Sequence, residues 1–511
     1  MEMEAINVGL LSILPPIIAI GLALITKEVI SSLLIGIFVG TFTYAFSSDA
    51  GFMGGLNTTL ALMGQKIGDN ATMILFLSLL GVLVVLVTAA GGSQAYGVWA
   101  ATKIKNKKMA QLATSLLGFI IFVDDYFNCL TVGTVMKPVT DKYRIARVKL
   151  AYLIDSTAAP VCIIAPISSW AAAVGSTLAA ANVFESDILA FVSTIPFNLY
   201  AVLTIVMVII VATTNVSYGP MKKLEREAQL NNELGALTES MDLEETDGKV
   251  MDLIIPILAL IILSILAMLY TGGLFSGESK NLVEAFGNCD SSTSLALGGF
   301  GAIIVTFILY IPRKVLGFRE FMDSVTEGIK MMVPAITILV LAWTISGVCR
   351  DLLSTGQYIG GLVQSSNFPL AILPFVIFIV AGFLSFSMGT AWGTFGILIP
   401  IVIIICEPAL ATSPSLMTVT LAATLGGSVF GDHVSPISDT TILSSTGADC
   451  NHIQHVSTQI PYALTVALAC AIGYLVSAVT NFNVFTTLGS GLVALLVLLF
   501  VINKISAKRN A

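Results

Sequence analysis

Charge is what this chain has least of. Aspartate, glutamate, lysine and arginine make up 11% of its 511 residues against 56% hydrophobic, too little polar surface to cover a soluble globule of that length. Positive charge is the scarcer sign, and a formal net charge of -7 argues against a nucleic-acid partner. Much of the acidic excess lies in one stretch, residues 225–247, which reads as a solvated linker rather than a binding surface. Paired cysteines are also missing. The seven (129, 162, 289, 349, 406, 450 and 470) are scattered, mostly inside apolar runs and without a C-x-x-C, which suits small core residues better than disulfides or zinc ligands. There is no G-x-S-x-G, H-E-x-x-H or phosphate-cradling loop, so no enzyme is expected. The start, Met1-Glu2-Met3-Glu4, lacks a basic signal-peptide region, so the first apolar run is expected to stay as a helix.

What the chain has in abundance is long apolar runs. Those near 8–26, 29–46, 72–91, 195–217, 251–270, 293–312, 459–481 and 485–503 approach or reach the roughly 20 residues that a helix needs to cross hydrocarbon. Open sheets cannot satisfy their backbone there, so the expected fold is all-α and polytopic. Lysines and arginines gather in alternate loops: at 27, 103–108, 137–149, 222–226, 313–319 and the tail after 504. Placing these loops in the cytoplasm puts the N-terminus outside and the C-terminus inside. Residues 8–26, 29–46 and 72–91 then run in, out and in, with an amphipathic piece before the third; 251–270, 293–312 and 333–349 run out, in and out, with an amphipathic piece at 318–330.

That pattern is an inverted-topology repeat. Short echoes support it. Gly118-Phe119-Ile120-Ile121-Phe122 resembles Gly382-Phe383-Leu384-Ser385-Phe386, and Ala165-Pro166-Ile167-Ser168 resembles Ser435-Pro436-Ile437-Ser438. The expected organisation is a first repeat at 1–218, a cytoplasmic acidic linker at 219–250, an inverted second repeat at 251–482, and an appended helix with a basic tail at 483–511.

Four polar segments interrupt the apolar background. Asp124, Asp125 and Asn128 fall near the tip of an expected re-entrant hairpin, where adjacent carboxylates would hold a proton or a cation, or else cap a helix N-terminus. Asp155-Ser156-Thr157-Ala158-Ala159-Pro160, followed by Pro166, reads as a helix broken twice by proline; it either frees oxygen ligands for a small cation or simply kinks. Gly389, Thr390, Gly393 and Thr394 form a carboxylate-free second tip. Gly431-Asp432-His433-Val434-Ser435-Pro436-Ile437-Ser438-Asp439-Thr440-Thr441 packs two carboxylates, a histidine and hydroxyls around a proline, where a break would let Asp432 and Asp439 converge. His433 reads as a proton relay or a structural hydrogen-bonder, whereas His452 and His455 are expected in a solvated cytoplasmic loop.

At Phe122 to Asn128, Asp155 to Pro160 and Gly431 to Thr441 the chain resembles the NhaC sodium/proton antiporter family, within the broad ion-transporter superfamily. The resemblance implies a multi-pass secondary carrier of a bacterial cytoplasmic membrane, surrounded by lipid, and leaves room for a homodimer. The leading expectation is sodium/proton antiport by alternating access, with Na+ and H+ as partners and no cofactor. Asp155, Asp439 and Asp124 come first as cation or proton ligands, then Asp125 and Asp432, with Na+ at Asp155 and Asp439. Asn128, Ser156, Thr157, Ser435 and Ser438 complete the oxygen shell, and Gly389, Thr390, Gly393 and Thr394 leave room for a substrate. The alternative is a proton- or sodium-coupled carrier of an amino acid or small organic acid, as in malate/lactate exchange. Some members of the family resemble such exchangers.

Overall fold

The computed structural model describes residues 5–508 except 27, 93–94, 96–98, 100–102, 123–124, 166–167, 169, 172–173, 176–177, 179–186, 215, 238–247, 356, 359–368 and 407–412. The fold is all-α; the extended pairing among the described residues is a single bridge, Ala236 to Cys450. Among the described residues eight helices are long and apolar enough to cross a membrane, or nine when the bent pair at Ala190–Phe197 and Leu199–Thr213 counts as one, so this is a multi-pass membrane protein.

The first half contains α1 (Leu14–Thr26), α2 (Val29–Ser47), α3 (Gly51–Asp69), α4 (Ala71–Ala89), α5 (Lys107–Ile120), α6 (Asp125–Lys142), α7 (Arg147–Asp155), α8 (Ala159–Cys162), α9 (Asp187–Thr194) and α10 (Leu199–Thr213). After α11 (Gly219–Asn231) the second half supplies α12 (Met251–Thr271), α13 (Leu282–Asn288), α14 (Ser291–Tyr310), α15 (Phe318–Gly347), α16 (Leu373–Met388), α17 (Ala391–Cys406), α18 (Pro414–Val434), α19 (Asp439–Gly447) and α20 (His452–Val479). α21 (Val484–Lys508) follows and packs along α20. Polar side chains mark several starts. Asn106, Asn198, Asp290, Ser438 and Asn451 each accept a backbone N–H from the first turn of the helix that follows.

Exchanging the two halves maps neighbour onto neighbour. α1 packs on α2 as α12 packs on α14; α2 meets α15 as α14 meets α4; α5, α6 and α7 meet one another as α16, α17 and α18 do. α7 touches α20 as α18 touches α10, while α4 with α15 and α10 with α20 pair across the centre. The densest packing lies within two groups, α1 to α4 with α12 to α15, and α5 to α10 with α16 to α20. Their main contacts with each other are α15 on α19 and α1 on α16.

Several elements differ from expectation. The run at 195–217 is bent by 49° between its two helical pieces, because Pro196 opens a tight turn and Asn198 restarts the helix by accepting Ala201 N–H. Residues 318–330 and 333–349 join into the 30-residue α15, whereas in the first half α3 and α4 are divided at Asn70. The linker is not simply solvated: Met221, Glu225 and Ala228 sit on one face of α11 and are buried. Leu370–Met388 and Pro414–Val434, expected as a hairpin arm and a broken helix, are each also long enough to span.

Candidate functional site

The second half breaks at Ser435-Pro436-Ile437. Pro436 has no N–H to continue α18, Ser435 turns extended, and Ser438 caps α19 by accepting Thr441 N–H at 3.3 Å. The same device stands 270 residues earlier, where Ser168 Oγ accepts Ala171 N–H at 3.1 Å. The break brings Asp432, in the last turn of α18, against Asp439, the first residue of α19. Thr440 Oγ1 donates to Asp432 Oδ2 at 3.1 Å and lies 3.1 Å from Ser438 Oγ, while Thr440 N–H donates to Asp439 Oδ1 at 2.8 Å. From the first half, the Tyr126 hydroxyl donates to Asp439 Oδ2. Asp432 Oδ1 is buried with no hydrogen-bond partner, and among the described residues no lysine, arginine or histidine forms an ion pair with Asp432 or Asp439.

Both hairpin tips are tied to breaks. Asn128 Nδ2 donates to the carbonyls of Gly118 at 2.7 Å, Ile121 at 2.8 Å and Thr157 at 3.2 Å, binding the first tip to the turn after α7. At the second tip Gly389 takes a left-handed φ of 66°, and a Cβ there would stand 2.6 Å from Ile437 Cγ1. The tips also cross over. Cys129 on α6 accepts from Ser444 Oγ on α19 at 3.2 Å, and Trp170 stacks edge-on against Trp392 of the second tip with centroids 5.7 Å apart.

Asp155 ends α7 and is fully buried in a different chemical setting. Its Oδ2 accepts from Gln459 Nε2 at 2.5 Å and from His455 Nε2 at 3.3 Å. Its backbone carbonyl lies 3.2 Å from His433 Nε2, whose Nδ1 meets the Tyr200 hydroxyl at 3.1 Å. Gln459 Nε2 reaches the His433 carbonyl as well, at 2.8 Å. α8 starts after the turn at Ser156 to Ala158, and Pro160 near its start supplies no N–H to continue α7.

Set against the sequence reading, Asp432, Ser438 and Asp439 come together, and Tyr126 and Thr440 join them. Asp155 lies beside His433, the sequence neighbour of Asp432; nitrogen donors take its Oδ2, while its Oδ1 is buried with no hydrogen-bond partner. Two expected oxygen ligands are committed to the backbone instead: Thr157 Oγ1 donates to Leu153 and Ile154 carbonyls, and Ser435 Oγ donates to the Phe386 carbonyl at 2.9 Å. Asn128 holds three carbonyls through its amide nitrogen, while its Oδ1 is buried with no hydrogen-bond partner. Ser156 is buried beside them at the end of α7.

At the second tip the threonine hydroxyls bond within the tip itself. Thr394 Oγ1 donates to the Thr390 carbonyl, Thr390 Oγ1 accepts Gly393 N–H, and Met388 and Thr390 fill the space beside Gly393. Asp125 is buried in the first turn of α6, and Asp124 lies outside the described residues. His455 is fully buried rather than solvated, and His452 Nε2 is bonded to the Pro436 carbonyl at 2.7 Å. The signal for His455 was its spacing: His455, Gln459 and Tyr462 recur on one face of α20. Tyr126 gave no such signal, because an aromatic in an apolar run reads as packing.

A model of the Na+/H+ antiporter family matches residues 161–479. The chain belongs to that family. Its members are transporters, not enzymes. A protein of Haemophilus influenzae described as uncharacterized is 40% identical over 99% of this chain and 97% of its own length. The malate-2H(+)/Na(+)-lactate antiporter of Bacillus subtilis is 26% identical over 35% of this chain and 42% of that one, and an uncharacterized Na(+)/H(+) antiporter of H. influenzae is 26% identical over 27% and 29%. The crystal structure of the Alcanivorax borkumensis YdaH transporter covers 88% of both chains at 13% identity with a TM-score of 0.32, too low to support any detail.

Proposed function

We propose that this family member exchanges Na+ for H+ by alternating access, with both ions competing for Asp432 and Asp439. The carrying observation is the all-oxygen cluster of Asp432, Ser438, Asp439, Thr440 and Tyr126, assembled from both halves at a helix break. Two buried carboxylates joined through one threonine, its hydroxyl on Asp432 and its N–H on Asp439, cannot both stay bare, because burying uncompensated charge in a low dielectric is too costly. One positive charge belongs between them, and Na+ and H+ each meet that need. Na+ gains hard oxygen ligands, including the unpartnered Asp432 Oδ1; a proton neutralises one carboxylate without needing the rest of the shell. Occupancy by one ion excludes the other, which is the condition for exchange.

Asp155 keeps a place in this reading as a neighbouring anion held by Gln459 and His455, and Asp125 and Asp124 as carboxylates of the first tip. The family resemblance reads the bilayer as a bacterial cytoplasmic membrane, and the loop charges put the N-terminus outside and the C-terminus inside. The name of the B. subtilis relative favours a second reading, proton- and sodium-coupled exchange of small organic acids.

Everted vesicles test the first reading. Asp439→Asn and Asp432→Asn, at parental expression, should each lower Na+-dependent proton exchange by about a hundredfold or more, in line with losing an interaction central to transport. Full exchange in either variant rejects the site. Stabilisation of the purified carrier by malate or lactate but not by Na+ would favour the second reading.

A further inference from the structure

Two cations are buried in the first turn of α7, against local preference. Arg147, its first residue, is 2% exposed, and Lys149 is 3% exposed. A helix N-terminus is the positive end of the peptide dipole, so cations are disfavoured there, and burial adds a desolvation cost. Carboxylates from other elements offset both. Arg147 forks onto Asp141 near the end of α6, with Nε to Oδ1 at 2.6 Å and Nη2 to Oδ2 at 2.7 Å. Its Nη1 donates to the Ala448 carbonyl at 2.9 Å and to Asp449 Oδ2 at 3.3 Å, just past α19. Its own N–H donates to the Leu234 carbonyl at 2.9 Å, beyond α11. Lys149 Nζ donates to Glu225 on α11 at 2.8 Å, a carboxylate shared with Lys107 at 2.9 Å.

The opposite ends of the same helices carry the candidate site. α6 runs back from Asp141 to Asn128, Tyr126 and Asp125; α19 runs back from Ala448 to Asp439; α7 runs forward from Arg147 to Asp155. α7 and α19 have nine residues each, rods of about 13 Å whose ends move together. At the end of α19 nearest Arg147, α6 and α19 touch backbone to backbone, since a Cβ on Gly133 would stand 2.5 Å from the Gly447 carbonyl carbon. A shift at the guanidinium therefore reaches Asp439, Tyr126 and Asp155 through stiff elements.

We propose that Arg147 is a positioning residue for ion exchange, the shared anchor that holds the spacing of Asp155, Asp439 and the Tyr126 tip from the far ends of their helices. It rests on the reading that these carboxylates serve the coupling ions. Conserving charge without the planar fork is not enough for this role, because a lysine cannot grip Asp141 and the Ala448 carbonyl together.

The test uses the full-length carrier in everted vesicles, with activity normalised to folded protein counted by size exclusion. Apparent Na+ affinity and the pH profile of exchange are measured for Asp449→Asn, Arg147→Lys and Arg147→Gln. Asp449 has a left-handed φ of 56°, which asparagine accepts readily, so Asp449→Asn keeps the chain path even if Arg147→Gln fails to fold. Asp449→Asn should weaken apparent Na+ affinity by roughly threefold or more and displace the pH profile, with Arg147→Gln worse and Arg147→Lys between. Unchanged affinity and pH profile in folded Asp449→Asn carriers overturns the proposal, even where yield falls, because a merely stabilising ion pair gives that result. Asp439→Asn run in parallel separates the two ideas: full exchange there rejects the ion-site reading, whatever the Arg147 variants do.

Discussion

At the scale of single residues, side chains that look like ligands in the sequence divide into two groups once their partners are visible. Asp432, Asp439, Ser438 and Thr440 bond among themselves, while Thr157 and Ser435 spend their hydroxyls on backbone and Asn128 its amide nitrogen. Composition cannot separate these groups, because a free hydroxyl and a committed one are spelled the same. The division is measurable. Asn128→Ala should destabilise the protein by about 1–3 kcal/mol, since it strips the amide donor from three carbonyls at a buried tip. Gly118→Ala drives a methyl into Thr157 on the same tie and should cost a further effect of similar sign, about 1–3 kcal/mol for overpacking. Thermal melts in detergent read both, and a melting temperature unchanged by either variant removes the tie.

At the scale of elements, α11 shows how much a loop assignment hides. Its acidic composition reads as solvated, yet burial of Glu225 would by itself push that carboxyl up, and Lys149 and Lys107 outweigh burial and hold it below its usual range. The stability so gained is present above the ordinary glutamate range, near pH 4.3 by rough reference, and is lost as pH falls through the depressed value. Glu225→Gln should therefore melt lower than the parent at pH 7, and the gap should close on titration toward about pH 3. A gap that stays constant with pH would mean the pair contributes nothing electrostatic. α7 makes a related point: its basic first turn counts as loop charge in the sequence, and only packing reveals that Arg147 and Lys149 are inside.

At the scale of the whole molecule, the two halves exchange neighbour for neighbour, and their polar breaks meet the opposite half's hairpins, Tyr126 with Asp439 and Trp170 with Trp392. Under the orientation proposed from loop charge, alkaline phosphatase inserted at Gly277, between α12 and α13, should be active outside the cell, and a C-terminal fluorescent protein should light up in the cytoplasm. An inactive phosphatase with a dark C-terminal fusion would reverse the assignment.

The sequence alone determined the all-helical membrane architecture, because hydrocarbon-length apolar runs leave the backbone no other way to satisfy itself. It also marked the break at Pro436, since proline removes the donor needed to continue, and that segment as the richest in chemistry, although Pro138, Pro256, Pro334 and Pro461 sit inside helices. Which carboxylates share a site was decided by tertiary structure. Asp439 meets Tyr126 through long-range packing of α6 on α19, and Asp155 is claimed by His455 and Gln459 some 300 residues away in sequence, whereas Asp432 reaches Asp439 locally across the break. Helical periodicity reports only which face of its own helix a residue occupies, and the partner across that face belongs to the fold.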